Sequence, residues 1–149
     1  MQGEGSALAF YGRILVPFDG SDGARRALSR ALSLARDRGA EVITISVDEH
    51  TPRYAKGVGE VEEEDALREQ YFAELTSEAT RVAEQMGMGL RTVTAVGHAA
   101  QSILQCARDQ GAELIVIGHS GHSGLWGSLL GSTTARVVDQ AECDVLVVK

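Results

Sequence analysis

Lysine is nearly absent from this chain. Lys56 and Lys149 are its only two, and 14 basic residues face 21 acidic ones for a net charge of -7. A nucleic acid backbone or an anionic membrane surface demands clustered positive charge, so neither is an expected partner. Cysteine is equally sparse: Cys106 and Cys143 stand far apart and form no C-x-x-C. Such thiols fit a reduced, cytosolic setting and serve as small buried hydrophobes rather than as a disulfide framework. No apolar run approaches the roughly 20 residues that span a bilayer. The opening MQGEGSALAFYG has no basic stretch and only a short apolar run at 7–10, too little for a signal peptide, so a cytoplasmic location is expected.

What is present is an ordinary globular composition. The chain has 149 residues, 44% hydrophobic and 23% charged, close to the averages of folded domains. That length suits one compact unit burying roughly two-thirds of its unfolded surface.

Five strand-length apolar runs rich in β-branched residues punctuate it: RILVPF at 13–18, EVITISV at 41–47, LRTVTAV at 90–96, ELIVIG at 113–118 and DVLVV at 144–148. Between them apolar residues recur at helical spacing. Ala24, Ala27, Leu28, Ala31, Leu32 and Ala35 form one stripe, ended by Gly39. Leu67, Tyr71, Leu75, Ala79, Val82 and Met86 form a longer one, ended by Gly87, with the acidic run at 62–65 suited to a helix N-terminus. Ile103, Leu104 and Ala107 mark a third helix, Ala135 and Val138 a fourth. The long loop at 48–61 is expected to be functional or mobile.

Strictly alternating strands and helices predict a doubly wound α/β fold, with parallel strands joined by right-handed crossovers and helices on both faces. Either 3-2-1-4-5 or 2-1-3-4-5 strand order satisfies this pattern. Ligands of such sheets bind beyond the carboxyl ends of the strands, where the order reverses. In the first order the loop FDGSDG at 18–23 lies beside the segment after the fourth strand.

That segment, IGHSGHSGLWGSLLGSTTARVV at 117–138, is where glycine concentrates: Gly118, Gly121, Gly124, Gly127 and Gly131, followed by Ser132, Thr133 and Thr134. Glycine permits positive φ and close backbone approach, and a helix N-terminus adds unpaired N–H donors, so the combination suits a phosphate cradle. Ser132 is the natural N-cap. With no lysine in the segment the P-loop pattern is unmet, and the dinucleotide fingerprint G-x-G-x-x-G is missing after the first strand. His119 and His122 form H-x-x-H, but no cysteine or acidic residue joins them in the loop to complete a zinc set. Trp126, Leu125, Leu129 and Leu130 are expected to pack into the core. His98 is expected in the capping region of the third helix.

What fits is G-x2-G-x9-G-S at Gly118, Gly121, Gly131 and Ser132. This spacing resembles the signature of the universal stress protein family, in its ATP-binding subgroup. ILVPFDGS at 14–21, SVDE at 46–49 and CDVLVVK at 143–149 are similar to the family's first, second and last strand regions, so the likeness covers 13–149. It implies one domain over 1–149 with an N-terminal extension at 1–12. It also implies a Rossmann-like, doubly wound, five-stranded parallel sheet in the order 3-2-1-4-5.

The resemblance also implies site roles. Pro17 and Asp19 stand at the adenosine end, with the Asp19 carboxylate accepting from the adenine amino group, and Val47 meets the base through its backbone. Ile117 and Gly118 lie against the ribose; Ser120, Gly121, Gly131, Ser132 and Thr133 enclose the phosphates of ATP. Ser120 falls where many relatives carry a basic or imidazole side chain, and His119 or His122 is the alternative. Mg²⁺ carried by the triphosphate is expected to offset its charge, because no lysine is at hand.

The expected function is a cytoplasmic, homodimeric, ATP-binding stress or signalling protein, paired through its C-terminal strand and acting on an unidentified protein partner. An unbroken apolar edge strand invites such pairing, though the segment at 3–11 is an alternative cover. Phosphoryl transfer relies on fixed positive charge and an oriented nucleophile, so weak ATP hydrolysis is the most expected of it. A slow ATPase, a phosphoryl or adenylyl transferase, and an interaction module that binds no nucleotide are the competing readings.

Overall fold

A computed structural model describes residues 11–50, 58–120 and 129–149. Its elements alternate as β1 (Arg13–Pro17), α1 (Asp22–Arg38), β2 (Glu41–Asp48), α2 (Val58–Gln85), β3 (Arg91–Val96), α3 (Ala99–Gln110), β4 (Leu114–Gly118), α4 (Ser132–Gln140) and β5 (Asp144–Val148). The strands form one parallel sheet in the order β3-β2-β1-β4-β5. The doubly wound fold and the 3-2-1-4-5 order are as expected.

The sheet is sandwiched between two apolar layers. Ile14, Val16, Val42, Leu114 and Val116 face α1 and α2, burying Leu28, Leu32, Leu75 and Ala79. Leu15, Ile43, Ile45, Ile115 and Ile117 face the other way, against Ile103, Ala107 and Val137 of α3 and α4. Because β4 is central and covered on both faces, every residue of LIVIG is buried, which is why it reads as a continuous apolar run. The edge strand β3 is only half-buried and alternates threonine with Val93 and Ala95. At the other edge, Val145, Leu146 and Val147 of β5 are half-buried.

Helix ends follow their chemistry. The Ser21 hydroxyl accepts from the Ala24 amide at 3.2 Å to cap α1, and Gly39 closes it in the left-handed conformation at φ 70°. Gly87 likewise ends α2 at φ 72°. Burial pushes the Cys106 and Cys143 thiols above their ordinary range, keeping them protonated at neutral pH.

Several details differ from the sequence reading. First, α2 begins at Val58, so residues 58–61 are helix rather than loop, and the acidic run at 62–65 lies past its first turn, which Glu60 occupies. The glycine at Gly59 argued for a loop, yet a helix-interior glycine costs only about 1 kcal/mol. Residues 51–57 of the expected loop lie outside the described residues. Second, Leu67 and Tyr71 are 67% and 48% exposed, while Leu75, Ala79 and Ala83 carry the buried face. The 28-residue helix is about 42 Å long at 1.5 Å per residue, more than strands of five to eight residues can cover. Third, α4 buries Thr134 and Val137 instead of Ala135 and Val138, because it begins at Ser132 and that start sets the phase of its inner face. Leu129 and Leu130 are exposed as well, just ahead of the helix, rather than packed into the core. Leu125 and Trp126 lie outside the described residues.

Candidate functional site

The order reverses between β1 and β4, and there the ladder is short. Only Ile14–Leu114 and Leu15–Ile115 pair, although both strands run on. A cavity of about 360 Å³ opens beyond these strands' carboxyl ends.

Segments remote in sequence line it. From the end of β1 come Pro17, Phe18 and Asp19; from the end of β2 come Val47 and Glu49; from β4 and the start of α4 come Ile117, Gly118, Ser120, Gly131, Ser132 and Thr133. Every site residue expected from the sequence that is described therefore stands in this one wall. Gly121 and His122 lie outside the described residues, and the wall includes Ser120 but not His119.

The loop after β1 is held rigidly. Phe18 donates its amide to the Ile45 carbonyl at 2.8 Å, and the buried Ser46 hydroxyl donates to the Phe18 carbonyl at 2.7 Å. Asp19 is exposed, and its Oδ1 accepts from the Ser21 amide at 3.0 Å. This turn role is compatible with a ligand role, since a carboxylate accepts several hydrogen bonds at once.

The glycines act through space rather than through dihedral freedom. A Cβ on Gly118 would stand 2.8 Å from the Gly23 carbonyl carbon, and one on Gly23 would stand 2.5 Å from the Ser120 carbonyl oxygen. The first turn of α1 thus lies directly on the backbone leaving β4. Among the described residues the positive-φ glycines are Gly20, Gly39, Gly87, Gly97 and Gly111, so neither Gly118 nor Gly131 uses the left-handed region. Gly23, unremarked in the sequence, is half of this contact.

Ser132 does not cap α4. Gly131 occupies the N-cap position at φ -59° and ψ 150°, and no side chain caps the helix. The cause is register: the Gly131 carbonyl already accepts from Ala135 at 2.8 Å, so Ser132 is the first helical residue. Gly131 donates its own amide to the His119 carbonyl at 2.9 Å, and therefore offers the cavity an absent side chain rather than a donor. The buried Thr134 hydroxyl donates to the Gly118 carbonyl at 2.8 Å, tying the helix start to β4. What faces the cavity is the first turn of α4, whose amides lack intrahelical acceptors, with the Ser132 and Thr133 side chains. This is an anion site in form.

The second helix N-terminus at the cavity is already occupied. Glu49 Oε1 accepts from the Ala99 amide at 2.9 Å, so a carboxylate sits on the start of α3. His98 holds the N-cap position there, as expected, but its ring makes no capping bond. Position just past β2 was the available signal for Glu49. Tyr71, read as a core residue, also lines the cavity; helical spacing alone gives no sign of that. Among the described wall residues there is no lysine or arginine.

A doubly wound parallel sheet in this order, with a cavity of mixed polar and apolar lining at its switch point, defines a Rossmann-like fold. The family model described as Usp, Universal stress protein family, matches residues 10–149, and the chain belongs to that family. A universal stress protein of Methanocaldococcus jannaschii is 36% identical over 142 residues, covering 93% of this chain and 82% of the relative. Among solved structures, universal stress protein UspA from Lactobacillus plantarum is similar with a TM-score of 0.80 and 29% identity, over 95% of this chain and 99% of that one. A universal stress protein solved in complex with cAMP has a TM-score of 0.70 and 27% identity, over 93% and 97% of the two chains.

Proposed function

We propose that this cavity binds an adenine nucleotide, ATP carrying Mg²⁺ on its phosphates, and that the protein is a stress or signalling component working as a cytoplasmic homodimer. The observation that carries this reading is the uncapped first turn of α4 opening into the same cavity as Asp19 and Val47. The related protein solved with cAMP supports an adenine-containing ligand.

Ser132 and Thr133 hold the phosphates with amides and hydroxyls, beside Ser120 and the bare backbone of Gly131; Gly121, assigned to the phosphates by the sequence, lies outside the described residues. Ile117 and Gly118 flank the ribose. Pro17 and the Val47 backbone bound the base, and Asp19 accepts from its amino group. Helix amides supply partial charge but no full cation, so the bound Mg²⁺ supplies the remaining neutralisation. Among the described residues the wall holds no fixed cation, which favours holding the nucleotide over transferring its phosphate. Occupancy then acts as a signal by favouring one conformation, with a matching change in affinity for a protein partner.

Mass analysis of the small molecule released on denaturing freshly purified protein is expected to find an adenine nucleotide. Absence of any binding by ligand-stripped protein at millimolar ATP with Mg²⁺ would sink the reading.

Dimerisation through β5 rests on its place at the sheet edge, and the exposed Leu129, Leu130 and Val138 earlier in the chain add apolar surface. Tyr11 reaches only the start of that strand, donating to Asp144 at 2.7 Å. Sedimentation equilibrium is expected to return about twice the 15.8 kDa chain mass; a monomer at micromolar concentration overturns the arrangement. Among the described residues no helix is long and apolar enough to cross a membrane.

A further inference from the structure

Tyr71 is out of place for a helix-stripe residue. It belongs to the apolar series of α2, yet it is 48% exposed and lines the cavity. Its position there follows from its neighbours. Leu75, one turn further along the same face, places its Cδ2 only 2.8 Å from where a Cβ on Gly20 would be. Tyr71 therefore stands over the loop after β1 that carries Asp19 and Gly20. Val47 and Ile117 approach from the opposite layer, since they pack with α3 and α4 while Leu75 and Ala79 pack with α1. The cavity mouth is thus bounded by an aromatic ring from one layer and by aliphatic residues from the other.

The helix segment that carries the ring is also held. Three residues before it, Arg68 pairs with Asp48 at the end of β2 at 3.3 Å, and both side chains are largely covered. Seven residues after it, Glu78 pairs with Arg25 of α1. The Phe72 ring stands edge-to-face with Tyr71, centroids 5.1 Å apart and planes at 87°. An aromatic ring on an anchored stretch of helix, packed edge-to-face on Phe72, half exposed and lining the cavity, offers a stacking platform more than a core contact.

We propose that Tyr71 is the specificity-determining residue of this cavity, closing its loop end with an aromatic face that selects ligands bearing a planar base over base-free phosphates. The proposal rests on the nucleotide reading of the site and adds a residue to it. Stacking on an aromatic side chain is sequence-tolerant, so Tyr71 selects for the presence of a base, while Asp19 selects which base.

Titration calorimetry on the full chain, stripped of resident ligand, tests this with ATP and with tripolyphosphate, which keeps the phosphates and lacks the base. Tyr71→Ala is expected to weaken ATP binding about tenfold or more and to leave tripolyphosphate within about twofold of wild type. Tyr71→Phe, which keeps the ring, is expected to stay within about twofold for both. Urea melts of the ligand-free variants check that the fold is kept, as the exposure of Tyr71 predicts. Unchanged ATP affinity in Tyr71→Ala, or an equal loss for both ligands, overturns the role of Tyr71 while leaving the nucleotide reading intact. Failure of the wild type to bind ATP overturns both.

Discussion

Gly118→Ala is expected to destabilise the ligand-free protein by about 3 kcal/mol, near the upper end of what overpacking costs. The new methyl would meet the Gly23 carbonyl carbon and oxygen at 2.8 and 2.9 Å, and these are backbone atoms at the start of α1 that cannot rotate away. Relief requires α1 to lift off β4, and α1 carries Leu28, Leu32 and Ala35, all fully buried. Gly39→Ala is the control. Its φ of 70° is strained for alanine, but nothing lies within 4 Å of the added carbon, so a loss of about 1 kcal/mol is expected. Urea titration of both variants without ligand decides the matter. A glycine present only to admit a ribose would leave Gly118→Ala as stable as wild type, and a smaller loss than that of Gly39→Ala would overturn the contact argument.

Ser132→Asp is expected to weaken ATP binding about 100-fold, which is about 2.7 kcal/mol. The added carboxylate stands in the first turn of α4, where the proposed phosphates lie, and repels them while removing a hydroxyl donor. The same charge favours the positive end of the helix, and Ser132 is exposed, so the ligand-free protein is expected to gain about 0.5 kcal/mol at low salt. Opposite signs make the test sharp. Calorimetry reads the affinity and a urea melt reads the stability. A fall in both would mean a damaged fold, and unchanged affinity would remove the phosphates from this helix.

The elements themselves were legible because their signals are local. Strand-length β-branched runs, helical spacing and the glycines at Gly39 and Gly87 each report on a few consecutive residues, and the structure places strands and caps where those residues stand. Local pattern misled where burial depends on what lies opposite. Leu67 and Tyr71 continue the stripe of Leu75 and Ala79, but α2 outruns the sheet beneath it, so the same periodicity covers a buried end and an exposed one. Ser132 fitted the N-cap preference by type, yet the neighbouring Gly131 holds that position because its carbonyl and amide are the groups already bonded.

By itself the sequence determined the alternation of strands and helices, the choice of a parallel doubly wound sheet, and the resemblance in spacing from Gly118 to Ser132, since all of these reside in the order of residues along the chain. Only the tertiary structure decided why Gly118 must be glycine, which amides α4 leaves open, and that Glu49 and Tyr71 share a wall with Asp19. Those facts arise where segments remote in sequence come into van der Waals contact. Contact distances of that kind are set by the packing of whole layers and leave no periodic trace in the residues that make them.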